Sequence, residues 1–385
     1  MKEIYLDHAA TTPMHQEVID QMHQVMTSIF GNPSSVHQFG RKAQEHLENA
    51  RQVIADSLQV SPHEIIFNSG GTESDNTAIL GIAKAQESAG KHLITTAIEH
   101  PAVLNTMKYL ETQGFEITYL PVDQNGQLAV ESVQTALRPD TILVSIMTAN
   151  NETGNLLPIA EIGALLKNHP AYFHTDAVQA YGKISLNPQV LGVDLLSVSA
   201  HKINGPKGIG FLYQRDGVKL PVLLHGGEQE EKHRAGTENL SAIVGMAQAI
   251  QLLSPAVQQA NQVKYQKFAT TVLKALDEHQ VAYQLNGDLQ NKLPHVLNLH
   301  IKGLGNDLLL MKLDLQGIAI STGSACTAGN VEPSHVLEAM YGQSDLAVYQ
   351  SIRISFGLGN TQAEVSEFAV ILATTIQQSL QRTRQ

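Results

Sequence analysis

A lysine, two acid–base candidates, a glycine turn and one cysteine are the features of this chain whose settings invite chemistry. Lys202 lies in Ser197-Val-Ser-Ala-His-Lys-Ile-Asn-Gly-Pro-Lys-Gly-Ile-Gly210, between apolar runs at 195–198 and 209–213. An amine at the mouth of a buried strand loses hydration, its pKa falls, and its free form can attack a carbonyl. The ready use of such an amine is a Schiff base with pyridoxal phosphate; the plain alternative is a lysine at the solvent end of a hairpin. Asp176, in Phe173-His-Thr-Asp-Ala-Val-Gln179, follows a second apolar run. A carboxylate there could keep the ring nitrogen of that cofactor protonated, and Gln179 could reach its phenolic oxygen. The competing role for Asp176 is a helix N-cap. His100 ends a further apolar run and could stack on the ring and move protons, or else cap a helix or fill a core. In Asn68-Ser-Gly-Gly-Thr-Glu-Ser74, Gly70 and Gly71 let the backbone wrap an anion at a helix N-terminus, with the Thr72 hydroxyl beside it. Ser199 and His201 would add donors to the same phosphate. The third spaced glycine of a dinucleotide fingerprint is absent.

Cys326 is the one cysteine of the chain, in Ser321-Thr-Gly-Ser-Ala-Cys-Thr-Ala-Gly-Asn330. A run of small and polar residues cannot pack a core, so the composition predicts an exposed, mobile thiol, the setting of a nucleophile that meets substrate and carries something away. One thiol makes no intrachain disulfide or cysteine-rich zinc site, and no metal site is expected. Arg353, alternating with isoleucines in Ser351-Ile-Arg-Ile-Ser355, could clamp a carboxylate bidentately; its alternative is a surface ion pair.

The elements that must hold these residues follow from the hydrophobic pattern. Apolar residues at helical spacing predict a helix over 41–58, and others near 14 and over 75–85 and 257–280. Short strand-like runs at 65–67, 93–98, 115–122, 141–147, 172–176 and 195–198 alternate with helical stretches. That alternation predicts an α/β fold, a mostly parallel sheet covered by helices, with ligands beyond the carboxyl ends of the strands. Residues 1–14 read as irregular. The pattern changes near Ser254-Pro255, and a second unit is expected to contain strands at 296–301, 317–320 and 351–356 and a helix at 334–340. The expected organisation is a large cofactor-binding domain over 15–255 and a small α+β domain from 1–14 and 256–385. With 36 acidic and 25 basic residues the net charge is -11, which argues against direct nucleic-acid binding. No apolar run reaches the ~18 residues of a membrane span, and no secretion signal is visible at the N-terminus; a cytoplasmic enzyme is expected.

Taken in order, Tyr5-Leu-Asp-His-Ala-Ala-Thr-Thr-Pro13, Gly31-Asn-Pro-Ser-Ser35, Ser69-Gly-Gly-Thr-Glu73, Glu99-His100, Asn150-Asn-Glu152, Asp176-Ala-Val-Gln179, Ser199-Ala-His-Lys202, Arg234-Ala-Gly-Thr-Glu-Asn239, the cysteine segment and Arg353-Ile-Ser-Phe-Gly357 closely resemble the NifS/IscS-like group of pyridoxal-phosphate-dependent cysteine desulfurases. The length of the cysteine segment resembles group I. The resemblance implies the fold type I transferase architecture and a homodimer. It implies that Lys202 holds the cofactor and acts as acid and base. Gly71, Thr72, Ser199 and His201 would bind phosphate, joined by Thr237 of the other subunit. Asp176, Gln179 and His100 would meet the ring, with Asn151 and Arg353 at the substrate. L-cysteine would become L-alanine, with its sulfur taken by Cys326 as a persulfide and passed to an acceptor protein in iron-sulfur cluster assembly or tRNA thiolation. A role for Cys326 as a cluster ligand is also suggested. His233 stands where the family often carries a second arginine. The rival readings are an aminotransferase or selenocysteine lyase of the same fold, and a non-catalytic cofactor-binding module.

Overall fold

The computed structural model describes residues 3–322 and 333–383. Its centre is a seven-stranded sheet in the order β2-β8-β7-β6-β5-β3-β4, from β2 (Ile65–Asn68), β3 (His92–Thr96), β4 (Glu116–Leu120), β5 (Thr141–Ser145), β6 (Tyr172–Asp176), β7 (Leu195–Ser199) and β8 (Gly210–Gln214). β8 runs antiparallel to both its neighbours, β2 and β7, and the other pairs are parallel. Most of these strands are buried throughout, because both faces are covered. Alternate side chains enter different cores. Ile94, Val144, Leu196, Val198 and Phe211 pack into one, and Leu93, Leu143, Leu195 and Leu212 into the other. The helices include α1 (Gln16–Ser28), α2 (Gln38–Leu58), α3 (Gly71–Gln86) and α4 (Pro101–Thr112).

A third core gathers Ile4 and Leu6 with residues between Phe268 and Ile376. It backs a three-stranded antiparallel sheet of β9 (Tyr283–Leu285), β10 (Val296–Ile301) and β12 (Ser351–Ser355), against which the helices Pro255–Glu278 and Gln362–Thr383 pack. The first residues are not irregular: β1 (Ile4–Tyr5) pairs in parallel with β11 (Ile318–Ala319), and Asp7 bridges to Ser355. A two-residue strand carries no alternation, so its partner more than 300 positions away leaves no local trace.

Two helix starts depart from the hydrophobic pattern, and both departures serve the cleft. α3 begins at Gly71 rather than 75, because Gly70 at φ 138° turns β2 straight into the helix. Its first turn faces a cleft rather than a core, so apolar periodicity begins only later. α1 begins at Gln16, capped by the His15 ring. The preceding residues instead bond to the Lys202 turn: Thr12 Oγ1 donates to the His201 carbonyl at 2.7 Å and Asn204 Nδ2 to the Pro13 carbonyl at 2.9 Å. Among the described residues no single helix is long and apolar enough to cross a membrane.

Candidate active site

The carboxyl ends of β2, β3, β5, β6 and β7 all open on one cleft of about 340 Å³. Gly71, Thr72, His100, Asn151, Asp176, Gln179, Ser199, His201, Lys202 and Arg353 line it. Thr237 does not; it is exposed on the loop before the helix Leu240–Gln251. Cys326 and its predicted mobile loop lie outside the described residues.

Lys202 sits in a short turn after β7, at the mouth of the β7–β8 hairpin, and lines the cleft. Its Nζ donates to the carbonyls of Ala9 and Ala10 at 2.6 and 2.7 Å. Gln179 Nε2 donates to the same Ala9 carbonyl at 3.0 Å, while its Oε1 is buried without a partner. The Ala9–Ala10 backbone is thus part of the site, which the sequence reading missed.

Asp176 ends β6, and its Oδ1 accepts the Val178 N–H at 2.8 Å. Burial pushes its carboxyl up to about 6, opposed by that N–H and by the Lys202 charge. Two further buried acids stand nearby. Asp75 is held well above the usual carboxylate range by burial and then by the Asp176 charge, and its Oδ1 has no hydrogen-bond partner. Glu99 is pushed up to about 8, first by burial, with the Asp176 charge adding to it. Asp75 shares the buried face of α3 with Ala78, Ile79 and Ile82. An acid among such residues is a signal legible in sequence, and it too was missed.

His100 is both a cap and a cleft residue. Its Nδ1 accepts the Ala102 N–H at 3.1 Å, starting α4, so the neutral ring carries its proton on Nε2. Burial lowers its pKa to about 4, helped by the charge of Lys202. Burial lowers His201 equally, to about 4, again aided by Lys202.

The phosphate-type turn is tightly built. A side chain at Gly71 would place its Cβ 2.7 Å from Val178 Cγ2, and one at Gly70 would lie 3.3 Å from Ser199 Oγ. Bare glycine backbone therefore meets Ser199 across the N-terminus of α3, leaving unpaired N–H groups there for an anion. Arg234 Nε donates to Glu73 Oε1 at 2.9 Å, fastening the loop that carries Thr237 to this turn.

Arg353 is a buried side chain, not a surface ion pair. Nη1 donates to the Asn151 carbonyl at 3.0 Å, Nη2 to Asp7 Oδ1 at 3.0 Å, and Nε is buried and unpartnered. Asn151 Oδ1 is also buried without a partner. Asp7 is a further residue the sequence reading passed over, 346 positions from its partner.

Buried polar atoms without partners on Gln179, Asn151 and Arg353, a glycine-lined anion turn and a buried Asp176 whose charge raises both Asp75 and Glu99 make a cleft suited to a ligand with an anionic end and a cationic ring. Pyridoxal phosphate has that chemistry, and the residues present fit it. Fold and cleft define a class-V aminotransferase: the model of that family, Aminotransferase class-V, matches residues 4–368, and the chain belongs to it. Within the family it belongs with the NifS/IscS-like cysteine desulfurases. An IscS 1 protein of Bacillus subtilis (strain 168) is 53% identical over 376 residues, 98% of this chain and 99% of that one, and the cysteine desulfurase IscS of Dictyoglomus turgidum is 46% identical over 380 residues, 98% of this chain and 95% of that one. A solved NifS-like protein is 36% identical, with a TM-score of 0.91 over 98% of this chain and 100% of that one. The structure of SspA in complex with cysteine is also 36% identical, with a TM-score of 0.81 over 92% and 99%.

Proposed function

We propose that this chain is a cysteine desulfurase that holds pyridoxal phosphate in the cleft, converts L-cysteine to L-alanine and takes the sulfur onto Cys326. The observation that carries the reading is the convergence of an amine, a buried acid, a neutral imidazole, an anion turn and a buried arginine on one cleft. Cysteine, the ligand named for the SspA structure, fits the same set.

Gly71, Thr72, Ser199 and His201 would hold the phosphate, Asp176 the ring nitrogen and Gln179 Nε2 the phenolic oxygen, with His100 against the ring. Bound there, the cofactor supplies a carbonyl carbon for amines and a ring that takes up the electron pair left when a Cα proton departs. Arg353 would receive the substrate carboxylate on Nε and a remaining Nη hydrogen, beside the Asn151 amide. Lys202 Nζ, among the Ala9 and Ala10 carbonyls, would remove the Cα proton and return one. The Cys326 thiolate then forms an S–S bond with the substrate sulfur as the Cβ–S bond breaks. The electron pair of that bond passes to carbon, which is protonated; the two sulfurs are together oxidised by two electrons and Cβ is reduced by two. L-alanine leaves, and Cys326 carries a persulfide for an acceptor protein, an iron-sulfur scaffold or a tRNA-thiolation enzyme.

The rest of the reading is a cytoplasmic homodimer with Thr237 reaching the partner subunit's phosphate, a division into a large unit over 15–255 and a small one from 1–14 and 256–385, and Cys326 as a cluster ligand during transfer. The test is L-alanine formed from L-cysteine by the cofactor-loaded protein beside Cys326→Ser. Alanine from the wild type and little from the variant supports desulfuration through the thiol. Equal alanine from both would rule out Cys326 as sulfur acceptor, and none from either would leave an aminotransferase or a non-catalytic module.

A further inference from the structure

The turn Asn150-Asn151-Glu152 holds more than the substrate side of the cleft. Asn150 anchors it: Nδ2 donates to the Ile98 carbonyl at 3.0 Å, and Oδ1 accepts the N–H groups of Glu152 and Thr153 at 2.9 and 3.0 Å. Asn298 Nδ2 donates to the Glu152 carbonyl at 3.1 Å, so the Glu152 backbone is fixed without its side chain. The buried Glu152 carboxylate accepts the Ser334 hydroxyl, and Ser334 Oγ accepts the Leu337 N–H at 3.1 Å, capping the helix His335–Tyr341. His335 Nε2 donates to the Glu99 carbonyl at 2.8 Å. On the other side, Ser321 and Arg353 exchange backbone hydrogen bonds at 3.0 and 2.6 Å, and Arg353 is tied to the Asn151 carbonyl. The described residues on both sides of the Cys326 segment, Ser321 and Ser334, are therefore fastened to one three-residue turn at the cleft.

We propose that Glu152 is a positioning residue for sulfur transfer: through Ser334 it fixes the C-terminal post of the Cys326-bearing segment to the turn that holds Arg353. The proposal rests on the desulfurase reading. Glu152 touches neither substrate nor the reacting atoms; it acts on where the following post stands. A carboxylate with 1% exposure is costly to bury. Burial raises its pKa, opposed in part by His335, the Ser334 hydroxyl and Arg353. A displacement of about 1 Å at a reacting group can cost ~100-fold in rate, so a loosened post slows attack on the substrate sulfur while Lys202 chemistry continues.

The test separates those two steps in the cofactor-loaded full chain. Exchange of the Cα hydrogen of L-alanine with deuterated water reports Lys202 alone, because alanine has no sulfur to give. Alkylation and mass spectrometry of Cys326 after a pulse of L-cysteine reports the persulfide. In Glu152→Ala and Ser334→Ala, persulfide formation is expected to slow by about tenfold or more, with Cα exchange and cofactor absorbance within about twofold of wild type. Glu152→Gln keeps an oxygen for the Ser334 hydroxyl and is expected to restore most of the rate. Wild-type persulfide formation in both alanine variants would overturn the proposal. So would a loss of Cα exchange and persulfide in equal measure, which is the mark of a general structural role. A wild type that exchanges Cα but forms no persulfide would instead overturn the desulfurase reading beneath it.

Discussion

Arg353 commits Nη1 to the Asn151 carbonyl and Nη2 to Asp7, leaving Nε buried without a partner. A planar fork can meet a carboxylate while keeping both protein contacts, and a single ammonium cannot. Arg353→Lys should raise KM for L-cysteine by about tenfold or more, with cofactor absorbance unchanged; an unchanged KM would place the carboxylate elsewhere. The glycine turn makes a second claim of the same kind. The Cβ of Gly71→Ala would collide with Val178 Cγ2, and Val178 N–H in turn supports Asp176. Gly71→Ala should weaken cofactor binding about tenfold, and adding Val178→Ala, which removes the colliding methyl, should recover part of it. A titration of cofactor absorbance measures both. If the double variant binds no better than the single one, the collision is not what limits the site. Gly71 was legible as a second glycine just past a strand, and Arg353 as a cation alternating with isoleucines within one. Asp7 and the Ala9–Ala10 carbonyls were not, since a backbone carbonyl has no residue type and Asp7 owes its role to a partner far along the chain.

The strands and helices show why the legible part was legible. β5 and β7 read as short, largely apolar runs because both faces of each enter cores, and the polar residues that follow then fall at the carboxyl edge of the sheet. Element ends were less readable wherever the cleft replaced the core, as in the first turn of α3. The link from β3 to α4 carries a testable consequence. Glu99 lies there fully buried, accepting the Thr96 hydroxyl at 2.7 Å and the Met147 N–H at 3.0 Å. Burial lifts its pKa from 4.5 to about 8. Between those values the native protein holds a proton that the unfolded chain releases. Its contribution to stability is therefore full below the lower value and is lost as pH rises toward and through the upper one. Glu99→Gln does not titrate. In urea unfolding of the cofactor-free protein, wild-type stability relative to Glu99→Gln should decline as pH is raised from 5 to 8, on the order of 1 kcal/mol per pH unit. Parallel curves would mean that Glu99 is ionised across that range.

Over the whole chain, the N-terminal strand joins the third core while Ala9 and Ala10 line the cleft and Asp7 holds Arg353, so the site is closed by segments far apart in the sequence. No window of local pattern contains that juxtaposition; only the resemblance of the whole motif series to a family foreshadowed it. Among the described candidates, Thr237 stands outside the cleft and is exposed. Its loop is nonetheless tied to the body of the fold. Glu230, Glu231 and Lys232 all adopt positive φ, which side chains other than glycine resist. The Glu230 carboxylate fixes them by accepting Arg51 Nη1 and Nη2 at 2.7 and 2.9 Å and the Phe67 N–H at 2.9 Å. Val36 at 90% and Phe30 at 76% exposure, with Phe30 and Phe39 rings 5.2 Å apart, add apolar surface of the kind that subunits cover. A held loop whose key hydroxyl misses its own cleft fits a residue that serves the neighbouring one. Mixing Lys202→Ala chains with Thr237→Ala chains tests this. If Thr237 acts across the interface, each mixed dimer has one site with both Lys202 and a wild-type Thr237, and that site should retain cofactor as tightly as wild type and form L-alanine. If Thr237 acts within its own chain, the Lys202-bearing site of every mixed dimer keeps the alanine, and cofactor retention should match the Thr237→Ala parent.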